Sequence, residues 1–171
     1  YAAKHDIPVS QSKTNIYSRD ENIWHISHEG GNLENPWNQH LDDIHVLSVP
    51  SEKAPDYPTF IEIGFKKGVP TSVNGKKMEP IELLRTLNKL GGENGVGTID
   101  IIENRLVGMK SRGVYETPGG TILFNAHRAL EKLILDRDTL HYKKIVAEKF
   151  APLVYDGLWY TPLRSAITAF V

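Results

Sequence analysis

Glu103-Asn104-Arg105-Leu106-Val107-Gly108-Met109-Lys110-Ser111-Arg112-Gly113-Val114-Tyr115-Glu116-Thr117-Pro118-Gly119-Gly120 separates a part of the chain that reads mainly as strands from a part that reads mainly as helices. Charged side chains at Glu103, Arg105, Lys110, Arg112 and Glu116, together with Gly108, Gly113, Gly119 and Gly120, make it too polar for an interior and too punctuated for a surface helix. The stretch reads as a loop of the kind that usually holds function. The alternative is a solvated connection with ordinary turn glycines.

On its N-terminal side Thr98-Ile99-Asp100-Ile101-Ile102 is rich in β-branched residues and reads as a strand. On its C-terminal side Thr117 and Pro118 read as the cap and first-turn residue of a long helix with Leu123, Ala126, Leu130, Leu133 and Ile134 on its apolar face. Asp138 is expected to cap the next helix, whose Leu140, Ile145, Val146, Phe150, Leu153 and Val154 face a core, and a last helix starts at Pro162. Upstream, residues 59–66 and 69–73 read as strands, and Asn74-Gly75 turns the chain into Lys76-Lys77-Met78 as an antiparallel meander. After Glu79-Pro80, Ile81, Leu83, Leu84, Leu87 and Leu90 recur at helical spacing, and Gly91-Gly92 stops that helix. Residues 7–9 and 44–49 are further expected strands, a polar segment fills 10–15, and Asp20 is expected to cap a short helical turn carrying Ile23, Trp24 and Ile26. Strands in the middle and helices at the end predict an α+β fold, an antiparallel sheet flanked by helices, rather than a parallel βαβ sheet.

Twenty basic against twenty-one acidic residues leave a formal charge of -1 over 171 residues, so the chain carries no basic field for nucleic acid or an anionic membrane. Cysteine is absent, which removes disulfides, thiolate nucleophiles and cysteine-based zinc sites, and fits a cytoplasmic protein. No apolar run approaches the roughly 20 residues that span a bilayer. Tyr1-Ala2-Ala3 reads as the end of a helix and Ala166 to Val171 as the inside of one, so a portion of a longer protein is expected.

Two short motifs fail on their chemistry. The run Gly92-Glu93-Asn94-Gly95-Val96-Gly97-Thr98 has threonine where a phosphate loop needs lysine, and it follows a helix instead of a strand, so it reads as a helix-to-strand connection. His25, His28 and Glu29 lack a third assigned ligand and the His-Glu-x-x-His order, and their neighbours Trp24 and Ile26 explain the segment as partly buried; no metal site is assigned. Ser18 and Ser27 bracket this region, and hydroxyls that both donate and accept suit recognition of a zwitterion.

Four segments coincide in order: Tyr17-Ser18-x-Asp20-Glu21-Asn22 with His25-Ile26-Ser27-His28-Glu29-Gly30-Gly31; Gly95-Val96-Gly97; the whole of 103–120; and Gly157-Leu158-Trp159-Tyr160-Thr161-Pro162-Leu163-Arg164. Over nearly its full length the chain closely resembles the synthetase portion of the argininosuccinate synthase family. The resemblance implies a cytoplasmic ATP-dependent ligase that joins citrulline to aspartate: ATP adenylates the citrulline ureido oxygen, and the aspartate amine then displaces AMP. It implies that ATP, with magnesium, and aspartate are bound mainly by an N-terminal nucleotide-binding domain lying outside these residues, and that the whole protein is a homotetramer. Residues 1–171 would be one citrulline-binding and multimerisation domain cut at both ends, inactive alone; the alternative is an oligomerisation module without catalysis. Carried over by motif, the citrulline contacts are Ser18, Ser27, Glu103 and Tyr115, with no residue assigned as catalytic and none to a metal. Thr98 departs from the basic residue that many members of the family have after the glycine.

Overall fold

The computed structural model describes residues 1–9 and 16–170. In chain order its elements are β1 (Ser18–Glu21), β2 (Ile26–Glu29), β3 (Ile63–Lys66), β4 (Val69–Val73), β5 (Lys76–Lys77), α1 (Pro80–Glu93), β6 (Thr98–Asn104), β7 (Lys110–Glu116), α2 (Pro118–Ile134), α3 (Arg137–Tyr155) and α4 (Pro162–Phe170). Both sheets are antiparallel, one of four strands in the order β1-β2-β7-β6 and one of three in the order β3-β4-β5, so the chain has the α+β class expected from its sequence. It divides into two compact units, Tyr1–Asn125 and the remainder.

The first unit contains both sheets and two apolar clusters. Tyr17, Leu33, Ile44 and Val114 pack on one face of the four-stranded sheet. Val73, Leu83 and Leu87 join β4 to α1, with Ile61, Ile63, Met78, Leu90, Ile122 and Leu123 around them. Each fully buried leucine in that seam contributes roughly 1.5–3 kcal/mol. The meander and α1 lie where Asn74-Gly75 and Pro80 put them, because both signals are local.

Four expectations are corrected. Residues 7–9 form no strand; the chain there leaves a 3-10 turn at Ala3–His5, and the segment 10–15 lies outside the described residues. Asp20 caps no helical turn. Asn22 instead accepts from the N–H groups of Trp24 and His25 (2.8 and 3.0 Å), closing a tight turn that makes β1 and β2 a hairpin. Residues 44–49 are not a strand either: Ile44 ends a 3-10 turn at Asp42–Ile44, and the N–H groups of Val46, Leu47 and Ser48 are given to a side chain. Finally, Gly91 and Gly92 do not stop α1. They are packing positions: a Cβ on Gly92 would lie 2.0 Å from the Leu47 carbonyl oxygen, and the Val49 N–H donates to the Gly92 carbonyl at 3.0 Å. Gly92→Ala is therefore expected to cost about 1–3 kcal/mol, read as a lowered urea midpoint, whereas Lys89→Ala on the exposed side of α1 should leave the midpoint within error.

The second unit holds the end of α2 with α3 and α4. Asp136, not Asp138, caps α3, accepting from the N–H groups of Asp138 and Thr139 at 3.0 Å each. Among the described residues of α3 only Leu153 is buried, so the expected core face is largely open. Around it, Leu133, Ile134 and Tyr160 stand 82%, 77% and 93% exposed. Among the described residues no helix is long and apolar enough to cross a membrane.

Candidate functional site

The 103–120 stretch is a hairpin, not a loop. Residues 103 and 104 finish β6, and the turn is closed by Arg105 N–H to Met109 O (2.7 Å) and Gly108 N–H to Arg105 O (2.8 Å). β7 then runs back along β6 from Lys110 to Glu116. Polar groups on both faces of β7 hid its period of two. The last residues are packing: Pro118, Gly119 and Gly120 are buried, and a Cβ on Gly120 would lie 2.7 Å from the Trp24 ring.

Cα partners in an antiparallel ladder project to the same face, and residues along a strand alternate. Asp20 pairs with Ser27, Ser27 with Tyr115 and Tyr115 with Ile99; Ser18 pairs with Glu29 and Glu29 with Gly113; Ser111 pairs with Glu103. Ser18, Ser27, Glu103 and Tyr115 therefore share one face of the sheet. The Tyr115 hydroxyl donates to Glu103 Oε1 at 2.8 Å. Burial, then the hydrogen bond to Glu103 and the charges of Glu103 and Glu29, raise the phenol above its ordinary pKa against the opposing Arg105 guanidinium, so Tyr115 keeps its proton. Ser27 is buried beside Tyr115, its hydroxyl turned to the Asp20 carbonyl at 3.4 Å. Ser18 is exposed on β1, two strand spacings or ~10 Å from β7. The sheet thus joins Glu103 to Tyr115, seats Ser27 beside them and keeps Ser18 at a distance on the same face.

The opposite face is held by one carboxylate. Glu116 is fully buried and accepts from the N–H groups of Val46, Leu47 and Ser48 (2.9, 3.1 and 2.9 Å), from Ser48 Oγ (2.7 Å) and from His28 Nε2 (2.8 Å). Arg19 Nε donates to His28 Nδ1 at 3.0 Å, and a guanidinium has no acceptor. His28 therefore carries a proton on Nε2, aimed at Glu116. Burial alone would raise the carboxyl; the hydrogen bonds from His28, Ser48 and the Val46 and Ser48 backbone outweigh it and hold Glu116 down at about 2. With both ring nitrogens engaged, His28 is not available to share a ligand with His25, whose ring packs 5.5 Å from that of Tyr115. Among the described residues no group of three or more His, Cys, Asp or Glu is arranged to hold a metal ion.

The family model for the arginosuccinate synthase C-terminal domain matches residues 17–171. The chain belongs to the argininosuccinate synthase family. Over its whole length it is 68% identical to the argininosuccinate synthase of Alkaliphilus metalliredigens, 64% to that of Acetivibrio thermocellus and 63% to that of Desulforamulus reducens. It spans 41%, 42% and 43% of the lengths of those proteins.

Two residues beside the four stand out in this argininosuccinate synthase family member. Arg105 Nη2 is paired with Glu29 and donates to Ser111 Oγ at 3.1 Å, while Nη1 lies 4.0 Å from Glu103 Oε1. Arg105 comes from the hairpin turn and Glu29 from the end of β2, so neither is legible as a pair until the register is known. The signal for Arg105 was its place in a glycine turn directly after Glu103. A cavity of about 580 Å³ opens beside this pair, lined by Glu29, Gly30, Arg105, Met109 and Ser111 among others, but by none of Ser18, Ser27, Glu103 or Tyr115. Thr98, the departure noted in the sequence, belongs to the buried network: its hydroxyl lies 2.8 Å from Ser48 Oγ, and because Ser48 gives its own proton to Glu116, Thr98 is the donor.

Proposed function

We propose that this chain is the citrulline-binding part of an argininosuccinate synthase, a ligase that joins L-citrulline and L-aspartate using ATP through a citrullyl-AMP intermediate, with release of pyrophosphate and then AMP. The observation that carries the reading is the common face of Ser18, Ser27, Glu103 and Tyr115, with Tyr115 bonded to Glu103. Glu103 pairs with the α-ammonium of citrulline. A protonated Tyr115 both steadies that carboxylate and offers its oxygen lone pairs to a ligand N–H, and the serine hydroxyls take the remaining polar groups. These groups orient the substrate and transfer no proton, so their contribution is one of binding and alignment. ATP with magnesium, and aspartate, are held mainly by the nucleotide-binding domain that the family carries outside these residues, and residues 1–171 act as one domain in a cytoplasmic homotetramer. The exposed Leu133, Ile134 and Tyr160 support burial of the second unit in that assembly.

The test is Glu103→Gln in a full-length synthase containing this chain. Losing one charge-assisted pair should raise the KM for citrulline by roughly 10- to 100-fold, with the KM values for ATP and aspartate nearly unchanged. Unaltered citrulline dependence refutes the role. The 171 residues alone should show no turnover, and product formation by them would overturn the placement of the ATP site.

A further inference from the structure

We propose that Gly113 is a positioning residue of this site: its missing side chain is what lets the Tyr115 ring lie back along β7 and reach Glu103. The inference rests on the citrulline reading above and adds a residue to it.

Gly113 sits inside β7, between Glu29 on β2 and Ile101 on β6. A glycine in a strand interior weakens the strand, so it calls for a reason. Backbone conformation is not the reason, since Gly113 is not among the glycines with positive φ. Space is. A Cβ built at Gly113 would meet Tyr115 Cε2 at 3.0 Å, Cζ at 3.4 Å and the hydroxyl oxygen at 3.4 Å, all three at the far edge of the ring. The ladder explains why the ring must pass there. Tyr115 stands opposite Ile99, whereas Glu103 stands opposite Ser111, four residues further along β7 and ~13 Å away along the strand direction. The two side chains lean toward each other and meet above the row between them, which is the row of Gly113 and Ile101. Any side chain at 113 projects from the same face into that space.

The prediction separates function from folding. Alanine or valine suits a strand better than glycine, which offsets the cost of displacing the Tyr115 ring, so Gly113→Ala and Gly113→Val should remain folded with only a small change in the urea midpoint. In the full-length synthase, Gly113→Ala should raise the KM for citrulline roughly 3- to 10-fold and Gly113→Val at least about tenfold, with a smaller change in kcat, as expected when ground-state and transition-state binding are lost together. In the unliganded protein labelled at the tyrosine ζ-carbon, the Tyr115 resonance, assigned by its loss in Tyr115→Phe, should move in both variants. On a Tyr115→Ala background Gly113→Ala should add no further loss, because the ring it displaces is gone. A Tyr115 resonance that stays in place in Gly113→Val, or an undiminished effect of Gly113→Ala on the Tyr115→Ala background, overturns the proposal and leaves the citrulline reading standing. A resonance that moves while citrulline dependence is unchanged in Gly113→Val and in Glu103→Gln alike removes the citrulline reading and the proposal with it.

Discussion

Glu116→Gln is expected to destabilise the protein by about 3–5 kcal/mol, more than any other single substitution considered above. The carboxylate is 0% exposed and accepts from five donors, three of them backbone N–H groups of residues 46–48. Glutamine keeps the shape but turns one acceptor into a donor. If the amide nitrogen replaces Oε2, it faces the donors of Val46 and His28; if it replaces Oε1, it faces those of Leu47 and Ser48. Either placement strands at least two donors, one of them from a buried residue, His28 or Ser48, at a cost of roughly 1–3 kcal/mol for each buried donor. Urea unfolding measures the loss, and a deficit below 1 kcal/mol would sink the assignment of Glu116 as the anchor of this face. A cycle with His28→Gln should be strongly non-additive, because both substitutions break the same 2.8 Å bond.

That anchor also explains what the sequence could and could not disclose. The starts of α1, α2 and α4 at Pro80, Pro118 and Pro162, and the meander turn at Asn74-Gly75, are local signals and read directly. Residues 44–49 look like a strand in isolation because Ile44, Val46 and Val49 have that preference. The N–H groups of Val46, Leu47 and Ser48 go instead to a carboxylate about seventy positions later, and no local pattern carries such information. β7 was hidden for a related reason. Its two faces carry Tyr115 with Glu103 on one side and Glu116 with His28 on the other, so polar residues occupy both phases of the alternation. Of the candidate site, Ser18, Ser27, Glu103 and Tyr115 are proposed through the motifs that the family resemblance supplies, but their common face follows only from the register, and so does the Arg105–Glu29 pair.

Acid should weaken the fold in a defined window. Glu116 titrates at about 2 when folded against 4.5 for an ordinary glutamate, so the depressed value favours the folded state above pH 4.5, and that contribution is lost as the pH falls toward about 2. The difference of about 2.5 pH units corresponds to about 3 kcal/mol. Asp100, held below its ordinary value chiefly by its hydrogen bond from Arg112, acts in the same direction. Urea midpoints measured from pH 6 down to pH 3 should therefore fall steeply in the unsubstituted protein. The corresponding curve for Glu116→Gln should start lower and fall less, because only groups such as Asp100 still titrate. Parallel curves would mean that Glu116 does not carry the acid response. The same protonation should loosen the 46–48 segment before β7 itself opens, since the segment is bound through the carboxylate whereas β7 keeps ladder bonds to both neighbours. Amide exchange at Val46, Leu47 and Ser48 should accordingly rise at a higher pH than exchange at Val114.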